Sequence, residues 1–176
     1  MDGIFVPNKT EEFNFYKNIL KENKKPLDIH LMVKDVISYI DEYKKLNPEF
    51  ITFHIETVKN PVLIIEHLKK YNIKVGIAIS PKTDIKKIEP YLNIIDMVLV
   101  MSVEPGYGGQ KFIENSTQRI NYLKDLKTKN NYNYLIEVDG GINDKTAKKA
   151  DVDMLVVGSF ITNSDNYKLQ ISKIKK

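Results

Sequence analysis

Cysteine is absent from the 176 residues, which excludes disulfides, thiolate metal sites and a cysteine nucleophile. An apolar run of about 18 residues, the length a membrane-spanning helix requires, is also missing. So is a charged-then-apolar leader, and the expectation is a cytoplasmic protein with no membrane role. No basic patch interleaves with aromatics on one element, which argues against nucleic acid as a partner. The net charge of +4 comes from lysines scattered over helical stretches, among them Lys69, Lys70, Lys86, Lys87, Lys148 and Lys149. They read as a solvated face whose mild field favours anionic small molecules. No strand opens into Gly-x-Gly-x-x-Gly before a helix, so a dinucleotide-binding fold is disfavoured.

What is present is an ordinary globular composition, 42% apolar and 28% charged, enough for one domain spanning residues 1–176. The chain is organised around Tyr134 to Ile142, where a run of β-formers ends in Asp139 and two glycines follow. Two similar units flank it. Met97 to Val103 runs into Glu104-Pro-Gly-Tyr-Gly-Gly-Gln110, and Met154 to Val157 runs into Gly158-Ser159. Strands are also expected at 27–33, 50–56 and 74–80. A helix capped by Thr10 precedes them, and others follow from Asp35, Pro61, a cap at Thr83 or Asp84, Glu114, Asp144 and Asn166. Strict strand-then-helix alternation predicts a parallel α/β fold. The glycine loops follow the last three strands, where (β/α)8 TIM-type barrels often hold phosphate, so the barrel is favoured, with about six of eight β/α units present.

Asp139 at a strand tip, with Glu137 on the same face, reads as a general acid or base or a metal ligand. His30 shares its strand face with Asp28 and Met32, since side chains alternate. A lone strand histidine is more often structural than a ligand. His54, on one face with Thr52 and Glu56, and His67, on a helix, are given no role. Gly106, Tyr107, Gly108 and Gly109 form a loop of exposed amides able to wrap an anion. Gly158 and Ser159 supply amides and a hydroxyl to the same rim, and Gly140 and Gly141 leave the backbone bare beside Asp139.

These segments, with Met1-Asp-Gly-Ile-Phe-Val-Pro-Asn8, Leu27-Asp-Ile-His-Leu-Met-Val33 and Thr52-Phe-His-Ile-Glu56, resemble the ribulose-phosphate 3-epimerase family along nearly the whole chain. The resemblance implies a TIM barrel and one divalent metal, zinc, iron or manganese. It also implies two carboxylates, one on each face of C3 of a pentulose 5-phosphate, acting in the pentose phosphate pathway. By that resemblance Asp139 is the catalytic acid and a metal ligand, and His30 is a metal ligand and substrate contact. Gly106, Tyr107, Gly108, Gly109, Gly140, Gly141, Gly158 and Ser159 bind the sugar phosphate, and a homo-oligomer is possible.

In the family, Met-Asp-Gly closes the second strand, after a segment that carries another metal histidine and the opposite-face aspartate. Neither has a counterpart here, so the resemblance implies an N-terminally incomplete member. The alternative reading is a non-catalytic sugar-phosphate-binding relic or regulatory partner. A third, another phosphate-barrel lyase or decarboxylase, lacks its Asp-x-Lys-x-x-Asp cluster. The expectation is a native message encoding roughly 40–50 further residues ahead of Met1, a βαβ unit plus its leading strand. A stop a few codons upstream would sink it.

Overall fold

The computed structural model describes residues 1–175. Six short runs rich in Val, Ile, Leu and Phe become strands: β1 (Asp28–Leu31), β2 (Phe50–His54), β3 (Lys74–Ile79), β4 (Met97–Met101), β5 (Leu135–Asp139) and β6 (Met154–Val156). They form one sheet in the order β1-β2-β3-β4-β5-β6, every pair parallel. A doubly wound sheet reverses its strand order at a switch point. This order never reverses, and right-handed crossovers then put all the helices on one face. The sheet curls as part of a β/α barrel wall, with β1 and β6 each paired on one side.

The helices are α1 (Phe13–Ile19), α2 (Val36–Tyr43), α3 (Pro61–Lys69), α4 (Ser116–Asn130), α5 (Thr146–Ala150), α6 (Ser159–Thr162) and α7 (Tyr167–Ile174). Local chemistry sets their ends. The Asp35 carboxylate accepts from the Ser38 amide to start α2, and Pro61 opens α3 where a missing N–H costs nothing. Asn131, at φ 54°, stops α4 in the left-handed conformation that asparagine tolerates.

Thr10 does not cap the first helix. An antiparallel bridge between Asp2 and Lys9 draws the Thr10 hydroxyl to the Met1 amino group and carbonyl, both at 3.2 Å. Helix α1 therefore starts two residues later than a Thr10 cap would place it, uncapped by any side chain and with none of its residues buried. The stretch before Pro90 is a 3₁₀ segment, Ile85–Tyr91, with the proline inside it. Strand β2 ends at His54, and Ile55–Thr57 forms a 3₁₀ turn that brings the Glu56 carboxylate back to the His54 ring.

Side chains alternate across the sheet. On the outer face Leu31, Ile51, Phe53, Val75, Ile77, Val98, Val100, Ile136 and Val138 pack against Val36, Ile40, Ile64, Ile65, Leu68, Ile120 and Leu123 of the helices. The inner face is divided. Around β3 and β4 it is apolar, with Ala78, Leu99, Met101 and Val103 packed together against Met32. On β1, β2 and β5 it carries Asp28, His30, Thr52, His54, Glu137 and Asp139. Gly76 sits opposite Thr52 in register, and a Cβ there would collide with the Thr52 hydroxyl.

Ile77 lies mid-strand, fully buried against the helical layer. Ile77→Ala should cost about 2–5 kcal/mol, from lost transfer energy plus a residual cavity. Urea titration followed by far-UV circular dichroism would show this as a lowered midpoint at unchanged slope.

Candidate functional site

All six strands point the same way, so their C-terminal tips and the loops after them share one rim. A cavity of about 240 Å³ opens there between the loops after β4, β5 and β6. Its walls include Gly106, Tyr107, Gly108 and Gly109 from the first loop, Asp139, Gly140 and Gly141 from the second, and Gly158 and Ser159 from the third. Three loops that are separate in sequence are thus brought together.

The loops are held by specific bonds. The Gln110 side-chain amide donates to the Glu104 carbonyl at 2.7 Å and the Tyr107 carbonyl at 2.9 Å, closing the first loop. Asn8 donates to the Gly106 carbonyl at 2.6 Å, clamping that loop from the N-terminal segment. The Ser102 hydroxyl lies 2.9 Å from the Asp139 carbonyl and 2.7 Å from that of Gly140, fixing the tip of β5. Gly141 has φ +63°, and a Cβ on it would collide with the Phe112 backbone. The sharp exit after Asp139 therefore requires glycine.

His30 faces an adjoining cavity, beside Asp28, Tyr39 and Tyr43 on the β1 side. Its Nδ1 nevertheless lies 3.7 Å from the Asp139 Oδ2. Its other ring nitrogen, Nε2, is 2.9 Å from the Nε2 of His54. His54 is fully buried, with Nδ1 3.1 Å from the Glu56 carboxylate. Burial pushes its pKa down, against the pull of Glu56. Sequence reasoning passed over His54. The signal was its place two residues from Glu56 on one inward face; its neighbour on the next strand depends on register. Asn8 and Ser102 carried no local signal.

One step deeper, Asp28 and Glu137 meet beneath the His30–Asp139 pair. Burial raises the pKa of both carboxyls. For Glu137 the nearby Asp28 and Asp139 charges add to it and take the group up to about 8. A proton shared between Asp28 and Glu137 lets the two hydrogen-bond instead of repelling each other.

An imidazole nitrogen and a carboxylate oxygen are donor types that zinc, iron or manganese accepts. Two ligands at about 2.1 Å in a tetrahedral shell lie roughly 3.4 Å apart, close to the His30–Asp139 separation. No cluster of three or more His, Cys, Asp or Glu with metal-binding geometry occurs among the described residues. The pair therefore fits part of a coordination shell and leaves its other positions to other donors. No helix among the described residues is long and apolar enough to cross a membrane.

Residues 1–162 match the profile of the ribulose-phosphate 3 epimerase family. The chain is 40% identical over 179 residues to the ribulose-phosphate 3-epimerase of Methanocaldococcus jannaschii, covering 100% of this chain and 76% of that one. To the enzyme of the same name from Helicobacter pylori strain J99 it is 37% identical over 178 residues, covering 99% and 82%. Among solved structures, phosphoribosyl anthranilate isomerase from Thermococcus kodakaraensis superposes with TM-score 0.65 at 14% identity, covering 97% of this chain and 84% of the other. The 3-keto-L-gulonate-6-phosphate decarboxylase of Vibrio cholerae also gives 0.65, at 7% identity, covering 92% and 75%. These two likenesses speak for the barrel fold.

Glu137 sets a pH dependence of stability. Its folded pKa is raised above the ordinary 4.5, so its contribution is fully present below about 4.5 and is lost as pH rises through about 8. Urea midpoints should fall between about pH 5 and about pH 8, and Glu137→Gln, neutral throughout, should show a smaller fall.

Proposed function

The chain belongs to the ribulose-phosphate 3-epimerase family and is an epimerase; we propose that residues 1–176 form one sugar-phosphate-binding domain that inverts C3 of D-ribulose 5-phosphate to give D-xylulose 5-phosphate. This is a step of the pentose phosphate pathway and is assigned here to the cytoplasm, with a homo-oligomer as the working assembly. The observation that carries the reading is the Asp139 carboxylate, 3.7 Å from an imidazole nitrogen beside a cavity rimmed by three glycine loops.

The phosphate is assigned to the amides of Gly106 to Gly109, Gly140, Gly141 and Gly158 and to the Ser159 hydroxyl. Backbone N–H groups suit it because they bind charge without carrying one. With the phosphate anchored on that rim, the carbon chain extends toward Asp139 at the tip of β5. Asp139 takes or returns the proton on C3 from its own face, a general acid–base step. The C3 proton is acidic only because the neighbouring ketone can accept the electron pair as an enediolate oxygen. A divalent cation bound by His30 and Asp139 would polarise that ketone and stabilise the enediolate. His30 Nδ1 also offers a polar contact to the substrate hydroxyls.

Inversion needs a second proton donor on the opposite face. The other carboxylate lining the cavity is Glu104, which is half-exposed and paired at 2.9 Å with Lys82 on the rim. Asp139 therefore works from one side of the site, solvent water is the proton source left to the other, and binding without inversion is the alternative reading.

One experiment separates the two readings. D-ribulose 5-phosphate is incubated with the chain in deuterated water with added zinc, iron or manganese, and products are followed by proton NMR. Conversion to D-xylulose 5-phosphate with deuterium at C3 is the expected result, reduced by on the order of 10²–10⁴-fold in Asp139→Asn. Binding or C3 exchange without inversion would favour the non-inverting reading. Absence of binding would sink both.

A further inference from the structure

We propose that His54 and Glu56 are positioning residues that dictate which ring nitrogen of His30 offers its lone pair to the site. The inference rests on the reading that His30 works beside Asp139, and it concerns how the fold prepares that ring.

Protons can be placed starting from the far end of the relay. The Glu56 carboxylate accepts on both oxygens. Oε1 lies 2.8 Å from the Ser80 amide nitrogen and Oε2 3.1 Å from His54 Nδ1. Burial opposes its ionisation, but the hydrogen bonds from His54, Thr83 and the Ser80 amide outweigh burial and hold the carboxyl down to about 2. An ionised carboxylate has no proton to give, so the hydrogen between it and His54 belongs to His54 Nδ1. His54 is completely enclosed, which favours its neutral form. A neutral imidazole with its proton on Nδ1 has a bare Nε2.

That bare nitrogen is 2.9 Å from His30 Nε2. Two facing ring nitrogens bond when one of them carries a proton, and here His30 must supply it. His30 Nε2 is then protonated, and its Nδ1, the nitrogen 3.7 Å from Asp139, keeps a free lone pair. A lone pair there can hold a cation or accept from a substrate hydroxyl; an N–H can do neither. A histidine that binds through one nitrogen has its tautomer set by the hydrogen bond at the other.

The anchor of the relay is rigid. Arg119 reaches across from α4 to donate to the carbonyls of Ser80 at 3.1 Å, Pro81 at 2.9 Å and Thr83 at 2.7 Å. It thereby fixes the loop whose Ser80 amide claims Glu56 Oε1. Glutamine at position 56 has one acceptor and one donor. With its oxygen on the Ser80 amide, its NH2 must face His54 Nδ1. His54 then carries its proton on Nε2, donates to His30 Nε2, and leaves His30 protonated on Nδ1. One substitution of nearly equal size inverts the whole chain.

The sequence has three histidines, so long-range proton–nitrogen NMR resolves each ring, with His67→Gln removing the third signal. At mildly alkaline pH the wild-type chain should show His54 protonated on Nδ1 and His30 protonated on Nε2. Glu56→Gln should reverse both and lower epimerisation kcat by roughly 10–100-fold. Glu56→Asp, which keeps two acceptors on a shorter stem, should retain the wild-type tautomers and recover part of the rate. A wild-type His30 protonated on Nδ1, or tautomers unchanged in folded Glu56→Gln, would overturn the proposal. If Glu56→Gln does not fold, the wild-type spectrum decides alone. An inactive wild-type chain with the expected tautomers would sink the functional reading and leave the relay standing.

Discussion

Parallel pairing in strictly sequential order makes every strand of this sheet end on the same rim. Each crossover is right-handed and the order never reverses, so helices cover the outer face and loops gather at the C-terminal edge. Asp139, Gly158 and the Gly106–Gly109 loop lie 19 or more positions apart in sequence and share one cavity for that reason. The outer face is apolar wherever a helix covers it, and that layer supplies the burial that makes the curl stable.

The inner face carries a different set of demands. Between β3 and β4 it is filled by Ala78, Leu99 and Met101, while β1, β2 and β5 turn ionisable groups inward. Buried charges are costly unless paired, and the groups here meet in linked arrangements. Asp28 and Glu137 share protonation at the lower level, both pushed toward the neutral form chiefly by burial. Above them His30 stands between Asp139 and His54, and His54 between His30 and Glu56. A fold concerned with stability alone gains nothing from this arrangement over aliphatic side chains of similar volume. Its cost is consistent with a site that handles protons.

Several parts of this were legible in the residues. Runs of β-forming residues bounded by turn signals located all six strands within a residue or two at either end. The two glycines after Asp139 announced a sharp exit, which Gly141 makes through its positive φ. Thr10 was misjudged because its hydroxyl is taken by Met1 across the Asp2–Lys9 bridge, a contact between segments with no local mark. The four-residue α6 was unforeseen, being too short to show a helical period. His54 was set aside because a strand histidine is ordinarily structural; its partner is two strand positions away on a neighbouring strand.

Period, turn chemistry and strand-tip carboxylates act over a few neighbouring residues. The amino-acid sequence by itself therefore determined the β/α alternation, the inward direction of Asp139 and His30, and the glycine rim. Which inward groups touch depends on inter-strand register and on the curl of the sheet. A shift of one residue would send every inward side chain to the helical face. Register places His30 opposite Thr52, with His54 two positions further along β2. The turn after β2 folds Glu56 back onto His54. The meeting of His30 with Asp139 on one side and His54 on the other was decided by the tertiary structure, because hydrogen bonds between strands hold those rings in place.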